Sequence, residues 1–137
     1  MNNTTDARSV LQAYLDALLA GDLERIADSF AEDATWSLHG NLPLSGVRRG
    51  REAILDFLTS AGSLYAPGTQ SLTFGQITAE ENRAVLEWQV TGTASATGKA
   101  YDNEYCAVFV VRDGRIAEVR EYLDSLHAAE TLFAPAS

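Results

Sequence analysis

The stretch that decides the fold is Arg112–Asp124, which reads RDGRIAEVREYLD. Its Asp113-Gly114 pair lies between two runs rich in Val, Ile and aromatic residues, a pattern typical of a two-residue β-hairpin turn. In an antiparallel hairpin, directly opposed residues point to the same face of the sheet, so this turn places Cys106 opposite Glu121. We therefore predict one face that is apolar except for a single acid: Cys106, Val108, Val110, Ala117, Val119, Glu121 and Leu123.

Strand-forming residues dominate the second half of the chain. They fall into four segments: Ser71–Ile77, Ala84–Ala96, Tyr101–Arg112 and Arg115–Leu123. A further turn at Gly98-Lys99 would place Trp88 opposite Phe109. It would also put Glu87 and Gln89 on the face of the hairpin acid. A slip of one residue in this second register would reverse those facings.

The first half of the chain has helical periodicity. Thr5–Ala20 carries apolar residues at steps of three and four positions. Asp22 can cap a second helix that runs to Phe30, and Arg51–Ala61 repeats the apolar spacing. A short helix over Leu126–Phe133 would close the chain. Helices followed by antiparallel strands predict an α+β domain, with three N-terminal helices packed on a curved, mainly antiparallel sheet.

Composition narrows the classes of function. The chain has 137 residues, a formal net charge of −9 and 46% hydrophobic residues, which fits one domain over residues 1–137. An acidic surface repels a phosphate backbone, so we expect no nucleic-acid partner. No apolar run approaches the roughly 20 residues of a membrane span, and the single cysteine and lack of an export signal predict a cytoplasmic location. Phosphate-binding loops and metal-ligand spacings are absent, so we expect neither metal nor cofactor.

The face opposite the acid gathers aromatic side chains in the predicted register: Trp88, Tyr105, Phe109 and Tyr122. Exposed apolar patches normally mark interfaces. We therefore predict a homodimer through this outer face of the sheet, with twofold symmetry. The alternative is that the C-terminal segment covers these aromatic residues within one subunit.

Glu121 is the first candidate for chemistry, because burying an unpaired carboxylate is costly. In an apolar pocket such an acid has a raised pKa and can act as general acid or base near neutral pH; alternatively it is solvated or ion-paired at the end of the sheet.

Tyr14 lies on the apolar stripe of the first helix and is either core or a donor to a ligand oxygen. His39 is a proton shuttle or a partly exposed structural residue, and Cys106 is a small apolar filler.

Three segments carry a resemblance to a known family: Phe30–Trp36 after two helices, Gly50–Ile54 opening the third helix, and Arg112–Ile116 leading to Glu121–Asp124. In this order they resemble the SnoaL-like branch of the NTF2-like superfamily over nearly the whole chain. The resemblance implies a cone, in which a strongly curved antiparallel sheet wraps around a long N-terminal helix and encloses a mostly apolar cavity. It also implies dimerisation through the outer face of the sheet.

The superfamily includes ketosteroid isomerases, polyketide cyclases, limonene-epoxide hydrolases, dehydratases and proteins that only bind or scaffold, so the fold does not fix the reaction. Tyr14 lies where ketosteroid isomerases have their oxyanion-stabilising tyrosine. Their catalytic Asp corresponds here to Leu38, and their second acid falls near Cys106 or Ala107. Both isomerase acids are therefore missing from this chain.

The segment Arg120–Asp124 resembles the Arg-Asp-Tyr-Phe-Asp segment of limonene-epoxide hydrolases, which gives Glu121 the role of the acid. Where that family has an Arg and an Asp two residues apart on the preceding cavity strand, this chain has Glu87 and Gln89. Glu87 and Gln89 could hold a water molecule. This chain lacks, however, the Arg that orients the two catalytic acids in limonene-epoxide hydrolases.

Together these features predict a cofactor-independent acid/base enzyme of isomerase, cyclase or epoxide-hydrolase type, acting on a small apolar molecule that carries oxygen. Glu121 would transfer the proton and Tyr14 would donate a hydrogen bond to the developing oxyanion. The predicted ligand-binding residues are Trp36, Leu38, His39, Glu87, Gln89 and Cys106. The alternative is a non-catalytic small-molecule-binding protein or dimeric scaffold of the same fold.

Overall fold

The computed structural model describes residues 6–133. Its helices are α1 (Ala7–Ala20), α2 (Leu23–Asp28), α3 (Arg51–Gly62) and α4 (Ser125–Ala128), which continues as a π-helical turn over Ala129–Phe133. Its strands are β1 (Phe30–Leu38), β2 (Gly46–Arg49), β3 (Ser71–Glu80), β4 (Arg83–Thr93), β5 (Ala100–Arg112) and β6 (Arg115–Leu123). They form one sheet in the order β2-β1-β6-β5-β4-β3, in which β1 and β6 are parallel and the other neighbours antiparallel. The predicted α+β class, with helices on a curved, mainly antiparallel sheet, is confirmed.

Helix α1 has a capping residue at its start and a glycine at its end. The Asp6 carboxylate accepts a 3.0 Å hydrogen bond from the backbone N–H of Arg8, which satisfies one of the free donors at the helix start. Gly21 ends the helix in the left-handed conformation, at φ +65°. The predicted start at Thr5 lies outside the described residues. No helix within residues 6–133 is long and apolar enough to cross a membrane.

Helix α2 is shorter than predicted. Asp22 caps it as expected, accepting a 3.2 Å hydrogen bond from the backbone N–H of Arg25. The helix ends at Asp28, however, and Phe30 begins β1 instead of completing the helical stripe. The cause is the sheet, since the N–H of Ile116 donates to the Ser29 carbonyl at 2.8 Å and draws the chain into pairing with β6.

The hairpin between β5 and β6 has the predicted turn but a different register. Arg112 pairs with Arg115 across Asp113-Gly114, and both turn residues have positive φ, as a two-residue turn of this kind requires. A β-bulge at Ala117 then shifts the ladder by one residue. Glu121 consequently lies opposite Ala107, so the prediction that it pairs with Cys106 is wrong.

The bulge changes which strand residues share the face of Glu121. Tyr105, Ala107 and Phe109 lie on that face, while Cys106 lies on the opposite one. We call the face that carries Glu121 the inner face, because the helices pack against it. The side chains of β5 therefore lie on the opposite faces from those predicted, because no feature of the sequence indicates the extra residue Ala117.

The predicted register of β4 is also wrong. The connection from β4 to β5 spans residues 94–99, longer than a two-residue turn, and it brings Trp88 opposite Tyr105 rather than Phe109. Tyr105 and Phe109 share a face, so this change alone does not move Trp88; the bulge at Ala117 places all three on the inner face. Glu87 pairs with Cys106 and, like Gln89, lies on the outer face.

The aromatic patch predicted on the outer face does not form. Three of its four members, Trp88, Tyr105 and Phe109, lie on the inner face. Only Tyr122 remains outside, with 42% of its surface exposed. The dimer that we inferred from this patch stays a prediction, now without the aromatic surface that suggested it.

Candidate active site

The site is centred on the Glu121 carboxyl, which β6 carries to the inner face. Only 7% of the residue is exposed. The indole Nε1 of Trp36 donates a 2.9 Å hydrogen bond to Oε1 of Glu121. Burial raises the pKa of Glu121 to about 7, and the Trp36 hydrogen bond, which favours the ionised form, opposes that rise only in part. A carboxyl with such a pKa exchanges its proton readily near neutral pH.

A cavity of about 200 Å³ opens above this carboxyl, between α1, α3 and the inner face of the sheet. Its walls are largely aromatic and aliphatic. The lining residues are Tyr14, Leu15, Leu18, Trp36, Phe57, Leu58, Ala61, Gly62, Tyr65, Gln70, Leu72, Phe74, Leu86, Trp88, Val90, Tyr105, Phe109 and Glu121. Glu121 is the only carboxyl group among them.

Tyr14 reaches the same cavity from α1. It is 2% exposed, and its ring packs edge-on against Phe30 at a centroid distance of 5.3 Å. Burial raises the pKa of Tyr14, and the nearby charge of Glu121 raises it further, so the hydroxyl keeps its proton. Within residues 6–133 this hydroxyl has no hydrogen-bond partner. A buried hydroxyl that faces a cavity and has no protein partner is suited to donate a hydrogen bond to a ligand oxygen.

A second polar group in the wall is a chain of hydroxyls that ends at Tyr105. The amide of Asn103 donates a 2.7 Å hydrogen bond to the Tyr101 hydroxyl, which is 2.6 Å from the Tyr105 hydroxyl. Either hydroxyl of this tyrosine pair can be the donor, since a hydroxyl oxygen can also accept two hydrogen bonds. Burial, followed by the neighbouring hydroxyls of Tyr65 and Tyr101, raises the pKa of Tyr105 and keeps it protonated.

The structure brings together three of the predicted site residues and separates the others. Tyr14, Trp36 and Glu121 line the cavity. Leu38 is buried beside a smaller neighbouring cavity, which Glu121 also lines. His39 lies exposed at the end of β1, where its ring stacks on Tyr122 at 4.2 Å.

Glu87, Gln89 and Cys106 lie on the outer face, so the prediction that they line the cavity is wrong. The register explains this, since Glu87 and Cys106 oppose each other across β4 and β5. Burial and the neighbouring Glu87 raise the pKa of the Cys106 thiol, which agrees with the prediction that it is not a nucleophile. Within residues 6–133, no three His, Cys, Asp or Glu side chains meet as a metal-binding group.

Sequence reasoning missed the aromatic wall of the cavity. Tyr105, Trp88 and Phe109 were assigned to the outer face because the bulge at Ala117 was not foreseen. Tyr65, which follows α3, carried no periodic signal at all. A Tyr-x-Asn-x-Tyr pattern over 101–105 was the available clue, since alternate residues of a strand share one face.

Comparison with known proteins gives a consistent family assignment. A family model described as SnoaL-like domain matches residues 11–119. Among curated relatives, the uncharacterised protein YesE of Bacillus subtilis is 25% identical over 132 residues, which cover 95% of this chain and 89% of the relative.

Two solved structures support the same fold. Bal32a, from a soil-derived mobile gene cassette, matches with a TM-score of 0.83 at 25% identity and covers 95% of this chain and 99% of its own. A candidate isomerase from Bacillus subtilis matches with a TM-score of 0.72 at 26% identity, covering 96% of this chain and 95% of its own.

Proposed function

This chain belongs to the SnoaL-like domain family, and from that premise we propose that its inner cavity performs cofactor-independent acid/base chemistry on a small, largely apolar molecule that carries a carbonyl oxygen. The observation that carries the proposal is the Glu121 carboxyl, buried at the base of the cavity with a pKa of about 7. At neutral pH this group is present in both protonation states, as a residue that accepts and then returns a proton must be.

The reaction that fits this site best is a proton shift next to a carbonyl group. Glu121 takes a proton from the carbon beside the carbonyl; the C–H bond breaks, an O–H bond forms on the carboxyl, and the electron pair moves to the carbonyl oxygen. Tyr14 donates a hydrogen bond to the resulting oxyanion. Glu121 then returns the proton to the same or a conjugated carbon, which completes an exchange or an isomerisation.

The number of acids favours this reaction over epoxide hydrolysis. A proton shift uses one carboxyl group twice, whereas epoxide hydrolysis also requires a group that activates water. Among the described lining residues Glu121 is the only carboxyl group, and Glu87 and Gln89 lie on the outer face. The candidate isomerase of Bacillus subtilis, a structural neighbour at 26% identity, is in keeping with this choice.

The test follows the exchange of cyclohexanone α-protons for deuterium in D₂O by proton NMR. We expect the wild-type protein to accelerate exchange and Glu121→Gln to lose about 10²- to 10⁴-fold of that rate, the usual contribution of a general acid or base. Glu118→Gln is the matched control, because Glu118 lies on the same strand but forms its ion pair with Arg120 on the outer face. Equal rates for wild type and Glu121→Gln would contradict the proposal. Binding without exchange would support the non-catalytic alternative.

We further propose that the protein acts as a cytoplasmic homodimer joined through the outer sheet face. Half-buried apolar side chains on that face support the dimer: Val85, Val108 and Val110. The single cysteine, Cys106, supports a reducing compartment. The cavity is complete within one chain, so this assembly is not required for the chemistry.

A further inference from the structure

A second, smaller cavity of about 50 Å³ lies on the other side of Glu121. The two cavities share one wall, made by Phe57, Ala61, Tyr65, Tyr105 and Glu121. Beyond that wall the smaller cavity is lined only by apolar side chains: Leu38, Leu42, Leu44, Leu64, Leu123, Ala128, Leu132 and Phe133. We call it the side cavity, and the 200 Å³ space the main cavity.

The side cavity has a fixed cover, formed by α4 and the π-helical turn. The Thr97 hydroxyl donates a 2.6 Å hydrogen bond to the Thr131 carbonyl, and the His127 ring stacks on Tyr101 at 5.1 Å. The Asn103 amide also donates to the Asp124 carbonyl at 3.0 Å. These contacts hold the aliphatic residues of the cover in place. The side cavity is therefore a built part of the fold and not a gap under a loose end.

The volumes set the size of what each cavity can hold. An apolar cavity of about 150 Å³ accommodates benzene, so each ring carbon takes about 25 Å³. On this scale the main cavity holds about eight heavy atoms, such as a six-membered ring with its oxygen, and the side cavity holds about two carbons. A multi-ring molecule would exceed the main cavity.

The side chains that line the main cavity and the side cavity determine which substituents each can bind. The main cavity offers the carboxyl of Glu121 and the hydroxyl of Tyr14 to a polar centre. The side cavity offers no polar atom beyond the shared wall, so a polar substituent there would lose its hydration without compensation. Because Glu121 lines both cavities, a group bound in the side cavity would lie beside the carboxyl that serves the reacting carbon.

From this juxtaposition we infer that the substrate is a single-ring carbonyl compound with an apolar branch of one or two carbons beside the carbonyl, and that the side cavity binds this branch. The inference rests on the proposed function for the carbonyl group. The side cavity supplies the size and position of the branch. It gives the protein a means to select among ring ketones that the acid/base site alone would treat alike.

The test measures binding by intrinsic fluorescence, since both tryptophans of the chain, Trp36 and Trp88, line the main cavity. The probes are cyclohexanone and its 2-methyl, 2-ethyl and 2-butyl derivatives. Each buried methylene group improves binding by a factor of about four, so we expect 2-ethylcyclohexanone to bind about 15-fold more tightly than cyclohexanone. The 2-butyl derivative should lose that gain because its branch exceeds the side cavity.

Substitutions at one half-buried position adjust the side cavity in both directions. Leu64→Phe should fill it and abolish the advantage of 2-ethylcyclohexanone while leaving the affinity for cyclohexanone unchanged. Leu64→Ala should enlarge it and restore tight binding of the 2-butyl derivative. Leu72→Phe is the matched control, because Leu72 lines only the main cavity and its replacement should weaken all four probes alike.

Affinities that do not depend on the branch, or a Leu64→Phe variant that keeps the preference for 2-ethylcyclohexanone, would overturn the inference. Absence of binding for all four probes would also overturn it. The first two results leave the proposed function untouched, because it depends on the Glu121→Gln exchange rate and on the pKa of Glu121. Absence of binding would also count against the cyclohexanone assay, but the pKa of Glu121 is measured without any probe. The failure of one can therefore be told from the failure of the other.

Discussion

The indole nitrogen of Trp36 donates a 2.9 Å hydrogen bond to Oε1 of Glu121, and this contact joins two parallel strands at the base of the cavity. Leu38 lies opposite Glu121 in the ladder, so the indole two residues earlier on β1 points to the same face. The bond holds the carboxyl in one orientation. Within residues 6–133, Oε2 has no side-chain partner and stays available to a ligand.

This bond should lower the pKa of Glu121. Trp36→Phe removes the donor while keeping an aromatic ring, so we expect the pKa to rise above about 7 by roughly 1 unit, because a hydrogen bond to a charged group is worth roughly 1.5 kcal/mol. The pH dependence of deuterium exchange in cyclohexanone would report the shift. Trp88→Phe, which lines the cavity without bonding the acid, is the control. An unchanged pKa in Trp36→Phe would show that the bond does not favour the ionised form.

The stability of the protein should fall as the pH rises through the interval from about 4.5 to about 7. In this interval the folded chain retains the Glu121 proton and the unfolded chain has released it, so raising the pH favours unfolding. The full effect is about 3 kcal/mol in the free energy of unfolding. Glu121→Gln, whose side chain resembles the protonated acid, should not show this loss of stability.

Urea unfolding of both proteins at pH 4.5 and pH 8 measures this difference. The variant should match the wild type at the lower pH and exceed its free energy of unfolding by about 3 kcal/mol at the higher. Other carboxyl groups affect both proteins equally and cancel in the comparison. A stability difference that does not change with pH would mean that Glu121 is not protonated in the folded chain.

The Tyr14 hydroxyl should matter for turnover more than for stability. We expect Tyr14→Phe to slow the exchange of cyclohexanone protons about 10²-fold, as the loss of one oxyanion donor usually does. Its free energy of unfolding should change little, because the hydroxyl has no partner among the described residues. Tyr122→Phe, on the exposed outer face, is the control and should leave the rate unaltered. A Tyr14→Phe protein with full activity would remove Tyr14 from the mechanism.

The helices, strands β3 to β6 and the face on which Glu121 lies could be predicted because each follows from a local pattern. Asp22 caps α2 and Asp113-Gly114 forms the turn, as their chemistry requires. The face of Glu121 was predicted correctly although its partner was not, since the residues around it on β6 alternate in polarity.

The aromatic wall could not be predicted in the same way. It depends on one extra residue, Ala117, whose bulge moves every side chain of β5 to the other face relative to β6. The same bulge decides the faces of Trp88 and Glu87, since Trp88 shares the face of Phe109 in the predicted register and in the observed one. Strand β2 was missed because its four residues lack an apolar alternation and are ordered by pairing with β1.

The predicted dimer can now be tested apart from the aromatic patch that suggested it. We expect native mass spectrometry at low protein concentration to show two copies of the chain. Val108→Lys should shift the population to the monomer, because it places a charge among the half-buried side chains of the outer face. The same change should leave cyclohexanone binding intact, since Val108 does not line either cavity. A wild-type protein that is monomeric at every concentration would contradict this prediction.

The most direct test of the account is the titration of the Glu121 carboxyl carbon by ¹³C NMR, with the resonance assigned by its loss in Glu121→Gln. We predict a midpoint at about pH 7, because the carboxyl is buried against apolar walls with one hydrogen-bond donor. A midpoint near 4.5, the ordinary value for a glutamic acid, would show that the carboxyl is solvated and would contradict the proposed proton transfer.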